Sequence, residues 1–195
     1  MRTDNKMKNT KEEIEGIADI SRGIRVTIVL VLIVILGSLI GASKVFGQEK
    51  ISINTSFDGR LALLGDENGN KAPTLNALIR LEMQGNQQGV GFMYIAPEYE
   101  YADLSGGEYH RYSVNLGYTF NQFTIDRLEI GSSMGFGAIV RDGRTFLSMA
   151  CQFDFGYRLT DRLRTMITMQ FVDRTDIKNP PVRGSIFGGV KYYLN

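Results

Sequence analysis

The sequence predicts an all-β fold: a single eight-stranded antiparallel up-and-down transmembrane β-barrel, preceded by an N-terminal signal or hydrophobic helix. Two observations predict it. An apolar run extends from Val26 to Ala42, and no second run of this kind follows it. From residue 48 onward the chain consists of short stretches of alternating apolar and polar residues separated by turns. Such alternation is typical of outer-membrane strands, because lipid contacts every second side chain.

The composition agrees with this fold class and excludes several kinds of function. The chain holds 22 Gly, 9 Tyr and 11 Phe but only 4 Pro and no Trp, which favours strands over helices. A formal net charge of +1 does not indicate a surface that binds nucleic acid. The single cysteine, Cys151, excludes an internal disulfide and a thiolate metal site. We interpret it as a small apolar strand residue, and the sequence predicts no cofactor.

Residues 1–47 have the parts of a secretory signal peptide with a long n-region. Arg22 and Arg25 precede the apolar core, and Val45-Phe46-Gly47 offers a cleavage site that leaves a mature start near Gln48. The alternative is an uncleaved inner-membrane anchor, since the core of about 17 residues approaches the length that spans a bilayer. In either case residues 48–195 form the barrel.

The first four strands are predicted from period-2 alternation. The first extends over about Ile51–Leu64. The second, Thr74–Gln84, alternates regularly with one exception. The third, Gly89–Tyr101, has an ambiguous parity because Pro97 can mark a bulge. The fourth, Tyr109–Phe120, has a strongly aromatic outward face.

The last four strands follow the same rule. The fifth, Leu128–Val140, opposes apolar residues to an inner face of mostly Gly and Ser, and the sixth, Phe146–Tyr157, alternates throughout. The seventh is Arg162–Val172 and the eighth is Arg183–Leu194. An even number of strands places both chain ends in the periplasm, as a cleaved leader requires.

The connections between these strands alternate in length, as they do in bacterial barrels. The predicted periplasmic turns are Gly85–Gln88, Asn121–Arg127 and Arg158–Asp161. The predicted outside loops are Gly65–Pro73, Ala102–Glu108, Arg141–Thr145 and Asp173–Val182. None of them is long, so the sequence predicts neither a plug domain nor a large binding domain.

The inward faces of the predicted strands carry charges of both signs. These residues are Arg80, Glu82, Glu98, Glu100, Arg111, Glu129, Asp154, Arg164 and Lys191. Eight strands leave an interior just wide enough for side chains, and buried charges are costly unless they are paired. We therefore expect a lumen filled by ion pairs rather than an open pore. A narrow path for ions or small solutes is the alternative.

Two residue pairs are candidate catalytic groups. His110 and Ser113 are three positions apart on one strand and therefore face opposite sides, which does not suit a nucleophile and its base. Glu98 and Glu100 share a face, but a two-carboxylate acid–base site needs their pKa values split, and nearby arginines keep both ionised. The sequence thus predicts no catalytic residues, with a lipid-modifying barrel enzyme as an alternative.

Tyrosine and phenylalanine cluster near the predicted strand ends, as in the interfacial girdles of membrane barrels. The same rings suit the ligand cavity of a soluble, lipocalin-like barrel, in which the polar face points outward. The leader and the alternation of turns and loops favour the membrane.

The chain resembles the small eight-stranded outer-membrane barrels, of the OmpA-transmembrane-domain and OmpX-like kind, and more particularly barrel proteins of Bacteroidetes-type bacteria. The residues that carry the resemblance are Phe46-Gly47-Gln48-Glu49, the segment from Phe155 to Leu163, and the closing segment from Gly188 to Leu194. Such barrels usually end on an aromatic residue that the assembly machinery reads, whereas this chain ends on Asn195.

The resemblance implies a porin-like protein of the outer membrane of a Gram-negative bacterium, with a structural or surface-interaction role. The implied partners are membrane lipid or lipopolysaccharide, the barrel-assembly machinery and a surface protein partner. The alternative location is a periplasmic barrel anchored in the inner membrane. A further alternative role is that of a component of an envelope-spanning conjugation or secretion apparatus.

Overall fold

The computed structural model describes residues 50–66, 69–105, 107–122, 127–176 and 182–194. The predicted leader, residues 1–47, lies outside the described residues, and so do parts of the predicted connections Gly65–Pro73, Ala102–Glu108, Asn121–Arg127 and Asp173–Val182. None of the helices in the described ranges is long and apolar enough to cross a membrane.

Eight antiparallel strands form a closed barrel in which each strand pairs with its neighbour in sequence and the first pairs with the last. This architecture confirms the predicted fold class. The strands are β1 Lys50–Asp58, β2 Asn76–Gln88, β3 Gly91–Leu104, β4 Gly107–Phe120, β5 Leu128–Arg141, β6 Arg144–Arg158, β7 Leu163–Asp173 and β8 Val182–Tyr193, with one short helix, α1 Gly59–Leu63, after β1.

Burial alternates along each strand because successive side chains point to opposite faces. On β7, Arg164, Thr168 and Gln170 are buried in the lumen, whereas Ile167 is 53% exposed. Leu78 is the one residue that breaks the regular alternation of the predicted second strand, and it is fully buried. It has the same parity as the polar residues of β2 and lies in the lumen.

The exterior of the barrel is apolar. Ile79, Leu116 and Ile167 are 50 to 53% exposed, whereas Arg80 and Asn115 are fully buried. This is the inverse of a soluble barrel, so the lipocalin-like alternative is wrong. Only hydrocarbon solvates such a face favourably, and closure leaves no unpaired strand edge in it. The barrel therefore has the construction of a membrane-spanning protein.

The first strand is shorter than its alternation predicted, because it ends at Asp58 rather than Leu64. The Asp58 carboxylate accepts hydrogen bonds from the backbone N–H groups of Arg60, at 3.0 Å, and Leu61, at 3.1 Å. It thereby caps α1, since an aspartate at this position satisfies donors that the first turn leaves free. The helix turns Leu61 into the barrel mouth, where the side chain is fully buried.

The turn predicted at Gly85–Gln88 is wrong, because these residues belong to β2 and the connection to β3 is Gly89–Val90. Gly89 adopts a φ of +60°, which suits a glycine in a tight turn. The irregularity suspected at Pro97 lies instead on the neighbouring strand, as a register shift between Gln84 and Gln87. A bulge re-aims side chains near a strand end without breaking the sheet.

At the opposite end, the connections from β3 to β4 and from β5 to β6 are also shorter than predicted, whereas the connection from β1 to β2 is longer, because β1 ends at Asp58 and β2 begins at Asn76. β3 continues to Leu104 and β4 begins at Gly107, so most of the predicted loop 102–108 is strand. Between β5 and β6 only Asp142 and Gly143 form the turn, with φ values of +49° and +71°. Two left-handed residues give the turn whose twist matches that of a hairpin.

Candidate functional site: the charged lumen

A network of side chains crosses the middle of the lumen. On β2, Arg80 contacts a carboxylate on each side: Nε lies 2.9 Å from Oε2 of Glu98 on β3, and Nη1 lies 2.8 Å from Oδ2 of Asp154 on β6. Its third nitrogen, Nη2, donates to Gln152 on β6. Arg80 therefore connects opposite walls of the barrel, and its side chain is 0% exposed.

Glu98 is the shared acceptor of this network. It receives a hydrogen bond from Nη1 of Arg111 at 2.9 Å and two from the amide of Gln152, at 2.9 and 3.0 Å, in addition to the contact from Arg80. The hydroxyl of Ser113 donates to it at 3.4 Å. One carboxylate thus holds two guanidinium groups, and its side chain is fully buried.

The remaining members extend the network around the wall. Asp154 accepts a hydrogen bond of 2.6 Å from Thr168 and one of 3.3 Å from the hydroxyl of Tyr94. Arg111 donates from Nε to Ser148 at 3.1 Å, and its Nη1 lies 3.7 Å from Oε2 of Glu100. Hydroxyl and amide groups thus supplement the ion pairs, as buried charges require.

A second group of ion pairs lies toward the end of the barrel where β1 begins, β8 ends and the Gly89–Val90 turn is found. Lys191 lies 2.7 Å from Glu82, and Arg164 lies 2.8 Å from Glu129. The ring of Tyr193 separates the two pairs, with the Arg164 guanidinium 4.2 Å from its centroid. The predicted lumen residues therefore form two groups rather than one.

The opposite mouth is covered by an apolar cluster. Leu61 from α1 packs there with side chains from β3 to β7, and Phe146 packs against the cluster from its edge. The other members of the cluster are Ala102, Leu104, Tyr109, Ile139, Ala150 and Val172. Apolar side chains thus separate the central network from this end of the barrel.

An ion cluster that the sequence analysis missed lies beside this apolar cover. Arg174, just after β7, donates to Asp176 at 2.6 and 2.7 Å and lies over the ring of Tyr109, 4.2 Å from its centroid. Nη1 of Arg141 lies 3.3 Å from the same carboxylate. These residues lie in or next to predicted loops, where alternation gives no information about burial.

The surroundings of Asp176 keep it charged. Burial raises the pKa of its carboxyl, but the hydrogen bonds and positive charge of Arg174 and the hydrogen bond from Arg141 outweigh burial, so the pKa lies below its usual range. Burial lowers the pKa of Arg174, yet the bond and charge of Asp176 raise it above its usual range. The cluster is therefore fully formed above the ordinary pKa of aspartate and is lost only as the pH falls through the lowered value.

The two candidate catalytic pairs have different surroundings. Ser113 is buried in the lumen and donates to Glu98, whereas the His110 side chain is 30% exposed and its Nδ1 lies 2.9 Å from the hydroxyl of Tyr99. His110 and Ser113 therefore face opposite sides of β4. Glu98 and Glu100 both lie within ion-pair distance of Arg111. Among the described residues, no group of three or more His, Cys, Asp or Glu could hold a metal ion.

No protein-family model and no curated protein matches the sequence. Solved structures do match it. The outer membrane protein Ail of Yersinia pestis, determined in a phospholipid bilayer nanodisc, has a TM-score of 0.51 at 13% identity, over 74% of this chain and 99% of that chain. The fold is therefore that of a small outer-membrane β-barrel.

Two further structures of this kind show similar coverage. A crystal structure of Ail, the attachment invasion locus protein of Y. pestis, has a TM-score of 0.41 at 14% identity, over 74% of this chain and 97% of that chain. Neisserial surface protein A has a TM-score of 0.46 at 11% identity, over 73% and 93%.

Proposed function

We propose that this protein is a non-enzymatic outer-membrane barrel with a structural or surface-interaction role, and that its lumen is closed by paired charges. The observation that carries the proposal is the central network, in which Arg80 and Glu98 connect opposite walls through buried contacts. Three successive levels obstruct the lumen. They are the apolar mouth cluster, the central network and the pairs around Tyr193.

A closed lumen leaves the exterior and the outside connections as the surfaces available to partners. The apolar exterior favours membrane lipid, and basic residues at the outer mouth such as Arg60 suit the phosphates of lipopolysaccharide. A surface protein would contact the short outside turns, for example Asp142–Gly143, which are exposed. Insertion would depend on the barrel-assembly machinery after removal of residues 1–47 as a signal peptide.

The finer family assignment belongs to the same proposal. An OmpA-like or OmpX-like barrel of a Bacteroidetes-type bacterium accounts for the two-residue turns after β2 and β5 and for the closing segment from Gly188 to Leu194. The absence of catalysis is supported by the opposite orientations of His110 and Ser113 and by the two arginines that hold Glu98.

Conductance of the purified barrel in a planar lipid bilayer tests the proposal. We expect no stepwise ion current through the wild-type protein, because a permeating ion would have to displace the contacts between Arg80, Glu98 and Asp154. An open porin reconstituted in the same way is the positive control, because its stepwise current shows that the measurement detects an open barrel in the bilayer.

Stepwise currents from the wild-type barrel would contradict a closed lumen. They would be assigned to the lumen if Glu98→Gln altered their ion selectivity while Glu108→Gln did not. Glu108 is the matched control, because its side chain is 68% exposed at the end of the β3–β4 hairpin.

A further inference from the structure

The short helix α1 stands in the barrel wall, at the position that β1 would occupy if it continued toward the outer mouth. β1 pairs with β2 on one side and with β8 on the other, and α1 keeps both neighbours. The backbone N–H of Thr74, two residues before β2, donates to the carbonyl of Leu61 at 3.3 Å. On the other side, Nη2 of Arg60 donates to the carbonyl of Gly184 on β8 at 3.4 Å.

A helix in this position has one side toward the lumen and the opposite side toward the exterior. Leu61 marks the lumen side, because its side chain is fully buried in the apolar mouth cluster. Leu63 follows two residues later and points about 200° away from Leu61, since successive helical residues are about 100° apart. Leu63 is 78% exposed, and Leu64 at the end of the helix is 82% exposed. This side of α1 is therefore apolar and uncovered.

The exterior beside α1 is already apolar. Phe57 near the end of β1 is 55% exposed, Leu75 just before β2 is 48% exposed, and Ile186 on β8 is 51% exposed. These side chains lie on the lipid-facing side of three neighbouring segments. Leu63 and Leu64 continue this surface beyond the end of β1.

Contacts at both ends hold α1 in place. Asp58 caps its first turn. After the helix, Gly65 adopts a φ of +76°, and a Cβ there would lie 2.2 Å from the carbonyl oxygen of Asn70. Asp66 then accepts hydrogen bonds from the side-chain amide of Asn70, at 2.8 and 2.9 Å, and pairs with Arg183 of β8. Two exposed leucines on a segment held in this way indicate a surface that contacts an apolar partner.

We propose that Leu63 and Leu64, which we call the rim leucines, insert among the acyl chains of the outer leaflet. The position of α1 in the wall favours lipid over a surface protein, because the side opposite Leu61 faces the same surroundings as the exterior of β1, β2 and β8. The exposed guanidinium of Arg60 on the same helix suits lipid phosphates. Such a helix is an interfacial anchor, with apolar side chains below the headgroups and a cation among them.

The inference rests on the proposed outer-membrane barrel and adds a contact that the strands do not provide. It makes the apolar belt taller on the side of β8, β1 and β2, where α1 replaces the end of a strand. Removal of this contact leaves the closed lumen unchanged, so the bilayer conductance does not depend on it.

The test uses tryptophan fluorescence, because the chain contains no Trp and one substitution gives a single reporter. Leu63→Trp and Leu64→Trp are refolded as the full chain in phosphatidylcholine vesicles, and heat-modifiable gel migration shows that each is folded. We expect emission at a shorter wavelength than in water. We also expect quenching by phosphatidylcholine brominated near the ester end of its acyl chains, and little quenching by iodide.

Two reference variants calibrate these signals. Ile167→Trp reports the lipid-facing surface at mid-height and is quenched most by bromine near the methyl end of the acyl chains. Arg144→Trp reports water at the outer end of the barrel, because Arg144 is exposed and has the same parity as the buried Ser148 on β6. It is quenched by iodide and not by brominated lipid.

A second measurement avoids the affinity of Trp itself for membrane interfaces. The double variant Leu63→Ser, Leu64→Ser raises the unfolding equilibrium constant in vesicles about tenfold or more, because two leucine side chains lose their transfer out of water. Arg144→Ser, at an exposed position in water, changes it by about twofold or less.

Quenching of Leu63→Trp and Leu64→Trp by iodide but not by brominated lipid would overturn the proposal, and so would a double Ser variant as stable as the wild type. An emission shift that appears only at a high ratio of protein to lipid would also overturn it and would assign the rim leucines to contact between copies of the barrel. In each case quenching of Ile167→Trp by lipid would leave the membrane barrel intact, whereas its absence would contradict the proposed function itself.

Discussion

Glu98→Gln destabilises the folded barrel by about 3–5 kcal/mol, the typical cost of removing one partner from a buried ion pair. The substitution keeps the shape of the side chain but removes the charge that holds both Arg80 and Arg111. Arg80 then keeps its 2.8 Å contact with Asp154 and Arg111 its 3.7 Å contact with Glu100, but each buried guanidinium loses a 2.9 Å contact with a negative charge. Urea unfolding in phospholipid vesicles, followed by heat-modifiable gel migration, measures the loss.

The matched control for this variant is Glu108→Gln, which makes the same chemical change at an exposed position. Its effect should lie within about 0.5 kcal/mol, as for most surface substitutions. Equal stability of the two variants would mean that the central contacts contribute nothing to folding.

Ile167→Lys destabilises the barrel by about 2–4 kcal/mol, the range for a lysine at the middle of the lipid-facing surface of a barrel. Ile167 lies near the centre of β7 and is 53% exposed on the apolar side. On a protein surrounded by water, the same substitution would be nearly neutral. The free energy of unfolding in vesicles therefore shows whether lipid or water contacts this face.

The control for Ile167 is Leu147→Lys. Leu147 is 83% exposed and lies near the outer end of β6, where the cost of a lysine falls to about 0–1 kcal/mol. Equal stability of the two lysine variants would contradict the expectation that Ile167 lies deeper in the lipid than Leu147.

Alternation along the sequence was sufficient to predict the barrel and, on the regularly alternating strands, the face on which most residues lie. Lipid contacts one face of every strand and therefore requires apolar side chains there. Polar residues that are an even number of positions apart on one strand lie together on the other face, which lines the lumen. The buried positions of Arg80 and Asn115 and the exposure of Leu116 follow from this rule alone.

The contacts within the lumen could not be predicted in the same way. Alternation gives the face of a residue but not its height in the barrel, which depends on the register of every strand pair. The contact between Arg80 and Asp154, for example, joins residues 74 positions apart. The sequence therefore predicts one set of inward charges and does not show that they form two groups at different heights.

The mouth was the least predictable part of the structure. The residues from Gly59 onward continue the apolar character of the first strand, and only the capping contacts of Asp58 show that a helix begins there. Arg174 and Asp176 lie in a predicted loop, where burial depends on the closure of the barrel rather than on local sequence.

The central claim is that hydrocarbon contacts one face of every strand while the other face is enclosed. Nuclear Overhauser contacts between side-chain methyl groups and lipid acyl chains, measured on the barrel in nanodiscs, test it most directly. We expect such contacts for Ile79, Leu116 and Ile167 and none for Leu78 and Ile139, which are fully buried. Acyl-chain contacts from Leu78 or Ile139, or water contacts from Ile167, would contradict the claim.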